Sequence, residues 1–284
     1  MEIKNVAILA NTTAGKGKSK QISIWLQEQL INLNKPSTIY DLDWPSEAEL
    51  NQYSDVWVIG GDGTINYFIN KYPNCKIPIT LFCGGTGNDF AWKLYGDVKI
   101  EQQLATILAA TPKPIDAAKV NGKLYINCLG VGFDGEILQS MKSIRFIGGH
   151  YGYLLAVIFK IFFFKEQKIQ IQMGNETWNE KFLLALIVNS SRAGGGFFIA
   201  PPAALNDGLL NMVLSKKISI LKRLWYLPVI QKGKHLHLPF IIHRLAEKIT
   251  IKCEKELPIQ VDGELLYAKD IQIEVLPSQF LFRY

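Results

Sequence analysis

The feature that most limits how this 284-residue chain can fold is an apolar run that ends in a glycine pair and then resumes as a helix, more than once. Val56-Trp57-Val58-Ile59 is followed at once by Gly60-Gly61-Asp62-Gly63-Thr64, and a helical pattern resumes from Ile65 to Lys71. Ile79-Thr80-Leu81-Phe82 is followed by Gly84-Gly85-Thr86-Gly87-Asn88-Asp89-Phe90, with a helix from Asp89. Earlier, Val6 to Ala10 leads into the loop Asn11 to Ser19, and Ser19 to Leu33 has helical apolar spacing. Thr38-Ile39-Tyr40 reads as a further strand, Glu47 to Asn51 as a short helix and Ile100 to Ala110 as an amphipathic helix. Strand, loop and helix in alternation predict an open α/β (Rossmann-like) layer with a mostly parallel sheet. All three glycine-rich loops follow strand ends, so they should gather at the edge where such sheets bind ligands.

After about Pro114 the pattern changes. Short β-prone runs dominate: Leu124 to Leu129, Lys168 to Met173, Phe182 to Asn189, Leu209 to Leu214, Lys248 to Cys253, Pro258 to Val261 and Ile271 to Leu276. Asn121-Gly122, Asn206-Asp207-Gly208 and Asp262-Gly263 are turn signals between them. A mainly antiparallel β-sandwich is expected, with helical inserts near 148–164 and 218–231. We therefore expect two domains, 1–118 and 119–284, with the last strand packing back near the first.

The loops carry the chemistry. Glycines at a strand-to-helix turn let backbone approach a ligand, and the helix that follows offers free N–H groups to phosphate. Asp62 is placed to hold Mg²⁺ or to bind a ribose hydroxyl; a plain structural turn is the alternative. Asn88 and Asp89 could instead cap their helix. The loop Asn11 to Ser19 carries Lys16 and Lys18 but does not match GxxxxGK[ST].

Composition narrows the field. Hydrophobic residues at 48% and charged residues at 20% indicate a folded globular chain. The net charge of +6 admits an anionic substrate or membrane surface. There is no zinc-finger spacing, long basic run or RNA-binding aromatic signature, so nucleic acid is not expected as a partner. Cys75, Cys83, Cys128 and Cys253 are dispersed, which argues against disulfides and fits a reducing cytoplasm. His150, His235, His237 and His243 do not form a metal spacing. The most apolar segment, Tyr151 to Phe164, is too short to span a bilayer and contains Lys160. It could wall a lipid groove, and Ser219 to Gly233 mixes Leu, Trp and Tyr with Lys222, Arg223 and Lys232 as interfacial segments do. Both could equally be core helices.

In order and spacing, GGDGTIN (Gly60–Asn66), GTGNDFA (Gly85–Ala91), Ile115-Asp116, GVGFDGEI (Gly130–Ile137), NDGLL (Asn206–Leu210) and DGE (Asp262–Glu264) resemble the diacylglycerol kinase catalytic-domain family, which includes bacterial soluble lipid kinases and is related to sphingosine and ceramide kinases. The resemblance covers nearly the whole chain. It implies an ATP-dependent, Mg²⁺-requiring lipid kinase, cytoplasmic and peripheral at the inner membrane surface, whose acceptor is a lipid hydroxyl such as that of diacylglycerol; a homodimer is also implied. Asn11, Asp43, Gly61, Asp62, Gly63, Thr64, Ile65, Asn66, Gly85, Thr86 and Asn88 would line the nucleotide. Asp62, Asp89 and Asp116 would surround the catalytic Mg²⁺, and Glu264 would be the general base. Asp207, with the carbonyls of Ala204 and Leu209, would hold a structural Mg²⁺, and Asp134 would meet the lipid. An NAD kinase-like activity on a soluble substrate and a non-catalytic lipid-binding protein are the alternatives. The chain departs from the family at Tyr67, where an acidic residue is usual, at Cys83-Gly84 before the second block, and at Asn11-Thr12, where Asn-Pro is usual.

Overall fold

The computed structural model describes residues 1–12, 17–41, 43–85, 87–143 and 157–284, and these divide into two compact units. Unit 1 is Met1–Asp116 with Ser278–Tyr284, and unit 2 is Ala117–Pro277.

Unit 1 is built on four parallel strands, β1 (Val6–Ala10), β2 (Ser37–Tyr40), β3 (Asp55–Gly60) and β4 (Ile79–Cys83), in the order β2-β1-β3-β4. β1 and β3 are buried at every residue, the continuous apolar run expected of a sheet covered on both faces. Alternate residues of β1 (Val6, Ile8 and Ala10) join Trp57, Ile59 and Phe82 under Leu26 and Leu30 of α1 (Lys18–Asn32). Leu104 and Ile107 from α5 (Ile100–Ala109) complete that cluster. The helix after β3, α3 (Asp62–Lys71), starts three residues before the expected Ile65, so Asp62-Gly63-Thr64 is its first turn. The short helices α2 (Glu47–Leu50) and α4 (Asp89–Tyr95) stand where the pattern placed them.

The C-terminal segment is fixed into unit 1 by Arg283, whose guanidinium donates to both carboxylate oxygens of Asp55 at 2.8 and 3.1 Å and to the carbonyls of Ala110 and Met1. Both partners are buried, Asp55 at 0% and Arg283 at 1% exposure. Burial pushes the Asp55 carboxyl up, and the Arg283 guanidinium pulls it back. A buried charge is tolerable here because each is paired and the remaining donors find carbonyls.

Unit 2 is antiparallel. β7 (Cys128–Gly132), β9 (Glu176–Val188), β8 (Gln167–Met173) and β12 (Lys248–Val261) pair in a closed circuit, because the long β9 and β12 each use their two halves with different partners. β10 (Leu210–Lys216) and β11 (Ile241–Ala246) extend from β9, and β13 (Glu264–Phe282) pairs with β12. The core includes Ile171, Ile187, Met212, Ile251 and Ile271, contributed by alternate positions of these strands.

Several expectations are corrected. The single run Leu124–Leu129 is two strands, β6 (Lys123–Tyr125) and β7, because the N–H groups of Ile126, Asn127 and Cys128 turn to the Asp262 carboxylate. The runs Lys248–Cys253 and Pro258–Val261 are one strand whose register shifts between Lys252 and Leu257. GVGFDGEI runs into a helix, α6 (Phe133–Ser143), that the sequence pattern did not predict. Of the inserts, residues 157–163 are helical and Ile220–Gln231 is a helix, while 144–156 lie outside the described residues.

Arg283→Ala should cost about 3–5 kcal/mol in urea unfolding, since it leaves the Asp55 carboxylate buried and unpaired. The double variant Arg283→Met/Asp55→Asn should recover a good part of that loss.

Candidate active site

In unit 1 the chain leaves β1 toward β2 on one side and takes up β3 on the other, so the loops after β1 and β3 flank a topological switch point. There the two glycine-rich turns touch through their backbones. Gly84 donates to the Gly60 carbonyl at 2.9 Å, and Asp62 donates to the Gly87 carbonyl at 3.0 Å. A Cβ on Gly85 would lie 2.6 Å from the Gly61 Cα, and one on Gly61 would lie 2.5 Å from the Gly87 oxygen. Close approach, not backbone conformation, is what requires glycine here: none of these residues has positive φ.

Asp62 locks the contact. Its carboxylate oxygens accept the N–H groups of Asp89 and Phe90, each at 3.1 Å, capping α4 from outside that helix. Ser19, in the first turn of α1, donates to the Gly84 carbonyl at 3.3 Å, and the Thr12 hydroxyl donates to Asp41 at 2.6 Å. Asn88 donates to the Gly85 carbonyl. The described residues that follow β1, β2, β3 and β4 thus form one rim.

The nominated residues fall into three groups. Asn11, Gly61, Gly63, Gly85 and Asn88 lie on this rim, and Thr86 lies outside the described residues. Ile65 and Asn66 point into the fold and are buried, as Thr64 is, because α3 packs that face inward. Asp43 is exposed, and it is Asp41 that reaches the first loop; only tertiary structure distinguishes the two. Asp62 and Asp89 meet through the cap, but Asp116 accepts the Ser278 N–H at 2.7 Å and anchors the returning C-terminal segment. Among the described residues no group of three or more His, Cys, Asp or Glu side chains is placed to hold a metal. That donor set still suits Mg²⁺, which favours one or two carboxylates with water and phosphate over an all-protein cage. Asp62 could supply such a carboxylate from its place at the start of α3.

Unit 2 holds Glu264 at the start of β13. Asp262, one turn earlier, is buried and accepts three N–H groups, from Ile126 (2.8 Å), Asn127 (3.0 Å) and Cys128 (2.8 Å). With Asp262 and Gly263 both at positive φ, the turn has one conformation, and Glu264 leaves it half exposed and ion-paired with Lys123. Sequence reasoning missed Lys123; its place beside the Asn121-Gly122 turn gave no signal. Asp207 is exposed and its Oδ1 accepts the Leu209 N–H, a local turn in which Leu209 takes part through its N–H.

Unit 2 also contains an apolar cavity of about 840 Å³, counting the space open to solvent. Its walls include Phe133, Ile137, Val157, Ile161, Leu227 and Ile230. Asp134 lines it too, with its carboxylate against Gly130, where a Cβ would lie 2.3 Å from Oδ2. Burial pushes the Asp134 carboxyl up to about 6.

Residues 5–120 match the diacylglycerol kinase catalytic domain, and residues 127–281 match the YegS C-terminal NAD kinase beta sandwich-like domain. The chain belongs to the diacylglycerol kinase catalytic-domain family. It is a kinase. A protein of Shewanella frigidimarina named "Probable lipid kinase YegS-like" is 27% identical over 99% of this chain and 94% of its own. A diacylglycerol kinase of Bacillus subtilis is 26% identical over 77% and 73% of the two chains. Among solved structures, that of a diacylglycerol kinase from Bacillus anthracis has a TM-score of 0.75 at 22% identity, covering 100% of this chain and 98% of that one, which shows a shared fold.

Two outcomes are expected. Gly85→Ala should lower the unfolding midpoint and abolish nucleotide binding in titration calorimetry, because its Cβ meets backbone; Gly63→Ala, with open space around it, should leave the unfolding midpoint unchanged. Desolvation pushes the Asp134 carboxyl up to about 6, above the usual carboxylate range. Its stability contribution is therefore full at acid pH and lost as pH rises through 6. Asp134→Asn should unfold at higher urea than the parent chain, by a margin that grows from pH 5 to pH 8.

Proposed function

We propose that this kinase transfers the γ-phosphoryl group of ATP to the hydroxyl of a membrane lipid of the diacylglycerol type. The observation that carries the reading is a pair of touching glycine turns at the strand ends of unit 1, carried by the same chain as an apolar cavity lined by Asp134 in unit 2. A soluble acceptor of the NAD type would not need apolar walls.

Phosphoryl transfer demands chiefly positioning and charge neutralisation. The backbone N–H groups at the start of α3 and the glycine turns would hold the phosphates, with Asp62 as the carboxylate toward Mg²⁺. When bound, Mg²⁺ would neutralise phosphate charge as the transfer proceeds. The lipid oxygen bonds to the γ-phosphorus as the bond to the bridging oxygen of ADP breaks, and the hydroxyl proton passes to the Glu264 carboxylate. Asp262 fixes the turn from which Glu264 acts.

The cavity supports a lipid acceptor from its other side as well. Helical residues 157–163 and the helix Ile220–Gln231 line it with their inner faces, while their outer faces expose Phe159, Phe163, Leu221 and Trp225, the last two at 79% and 78%. Beside these, Lys217 and Lys222 are exposed. Aromatic and basic residues together suit an anionic bilayer interface. No helix among the described residues is long and apolar enough to cross a membrane, so contact through these faces would be peripheral.

Labelled ATP with Mg²⁺ and micelles carrying one candidate lipid at a time, with NAD in parallel, tests the proposal. Label is expected in a lipid, and label in NADP would overturn it. Glu264→Gln should lower kcat by at least ~10²-fold with ATP affinity unchanged. An unaltered kcat would remove Glu264 from its role.

A further inference from the structure

Tyr67, the residue that breaks the acidic pattern at the end of the first glycine motif, stands one helical turn beyond Gly63 on α3. Both are exposed, whereas Thr64, Ile65, Asn66 and Phe68 are buried, so Gly63 and Tyr67 form the open stripe of the helix. Four residues of helix are a rise of about 6 Å, so Tyr67 stands on the same open stripe about 6 Å along α3 from Gly63.

The ring is held in place. Its centroid lies 5.2 Å from the Trp44 indole at 61°, and the Lys71 ammonium stands 5.9 Å from it while donating to the Trp44 carbonyl at 3.2 Å. Trp44 in turn lies nearly parallel to Tyr72, at 14°. Trp44 is buried at 8% exposure, yet Tyr67 above it keeps 51%. An aromatic ring held by Trp44 and still half exposed presents apolar ring surface at little entropic cost.

We propose that the Tyr67 ring is the shelf on which the purine of the phosphate donor stacks, making it the residue that couples base recognition to the glycine cradle. This rests on the reading of unit 1 as the nucleotide site. The role belongs to the ring and not to the phenol hydroxyl.

The test compares ATP with inorganic tripolyphosphate, each with Mg²⁺, by titration calorimetry on the parent chain, Tyr67→Phe, Tyr67→Ala and Tyr67→Leu. Leu keeps apolar cover over Trp44 and so guards against a folding defect in the Ala variant. Stacking predicts that Ala and Leu weaken ATP binding about tenfold, while Phe leaves it within about twofold. Tripolyphosphate affinity should stay unchanged in all of them. Equal losses for ATP and tripolyphosphate would make Tyr67 a structural cover only, and no loss for ATP, or a loss in Phe as large as in Ala, would also overturn the proposal. If the parent chain binds tripolyphosphate but gains nothing from the nucleoside, the shelf is wrong and the phosphate cradle stands; if it binds neither, the nucleotide reading itself fails.

Discussion

The backbone contact between Gly61 and Gly85 governs the architecture of unit 1. Two strand-to-helix turns that meet at this distance leave no room for any side chain, and the contact only closes because Asp62 satisfies the otherwise open N–H groups at the start of α4. The same residue therefore joins β3-α3 to β4-α4 and presents a carboxylate at the rim. A structural cap and a metal ligand are compatible in one side chain because a carboxylate accepts more hydrogen bonds than the cap uses. Among the described residues the turns hold each other through backbone groups, Gly84 N–H to the Gly60 carbonyl and Asp62 N–H to the Gly87 carbonyl, the kind of preorganisation that phosphoryl transfer depends on.

Unit 2 solves a different problem. Asp262 interrupts what would have been a continuous strand so that three N–H groups converge on one buried carboxylate, and the turn that carries Glu264 is fixed as a result. Asp134 works against stability. Its carboxyl is held in apolar surroundings with desolvation as the cause of its raised pKa, and burying a charge without a partner is costly. Violations of this kind concentrate at sites of function.

Much of unit 1 was legible because its signals are local. Apolar runs of four or five residues, glycine pairs and helical spacing each report on neighbours in sequence, and β1 to β4, α1, α4 and α5 stand close to their expected bounds. Unit 2 was less legible. The split at Ile126–Asn127 depends on Asp262, more than a hundred residues away, the joined β12 on pairing with β13 across a register shift, and the unpredicted α6 on burial that periodicity does not encode.

The site divides the same way. The sequence alone determined which residues can carry phosphate and acid-base chemistry, since glycine at a turn and carboxylates in GGDG and DGE are chemical identities. Tertiary structure decided how they are used. It made Asp62 a cap as well as a candidate ligand, turned Asp116 toward Ser278, joined Asp41 to Thr12 and buried Ile65 and Asn66. The physical reason is that side-chain chemistry is local, whereas burial, hydrogen-bond partners and close backbone approach arise only when distant segments pack together.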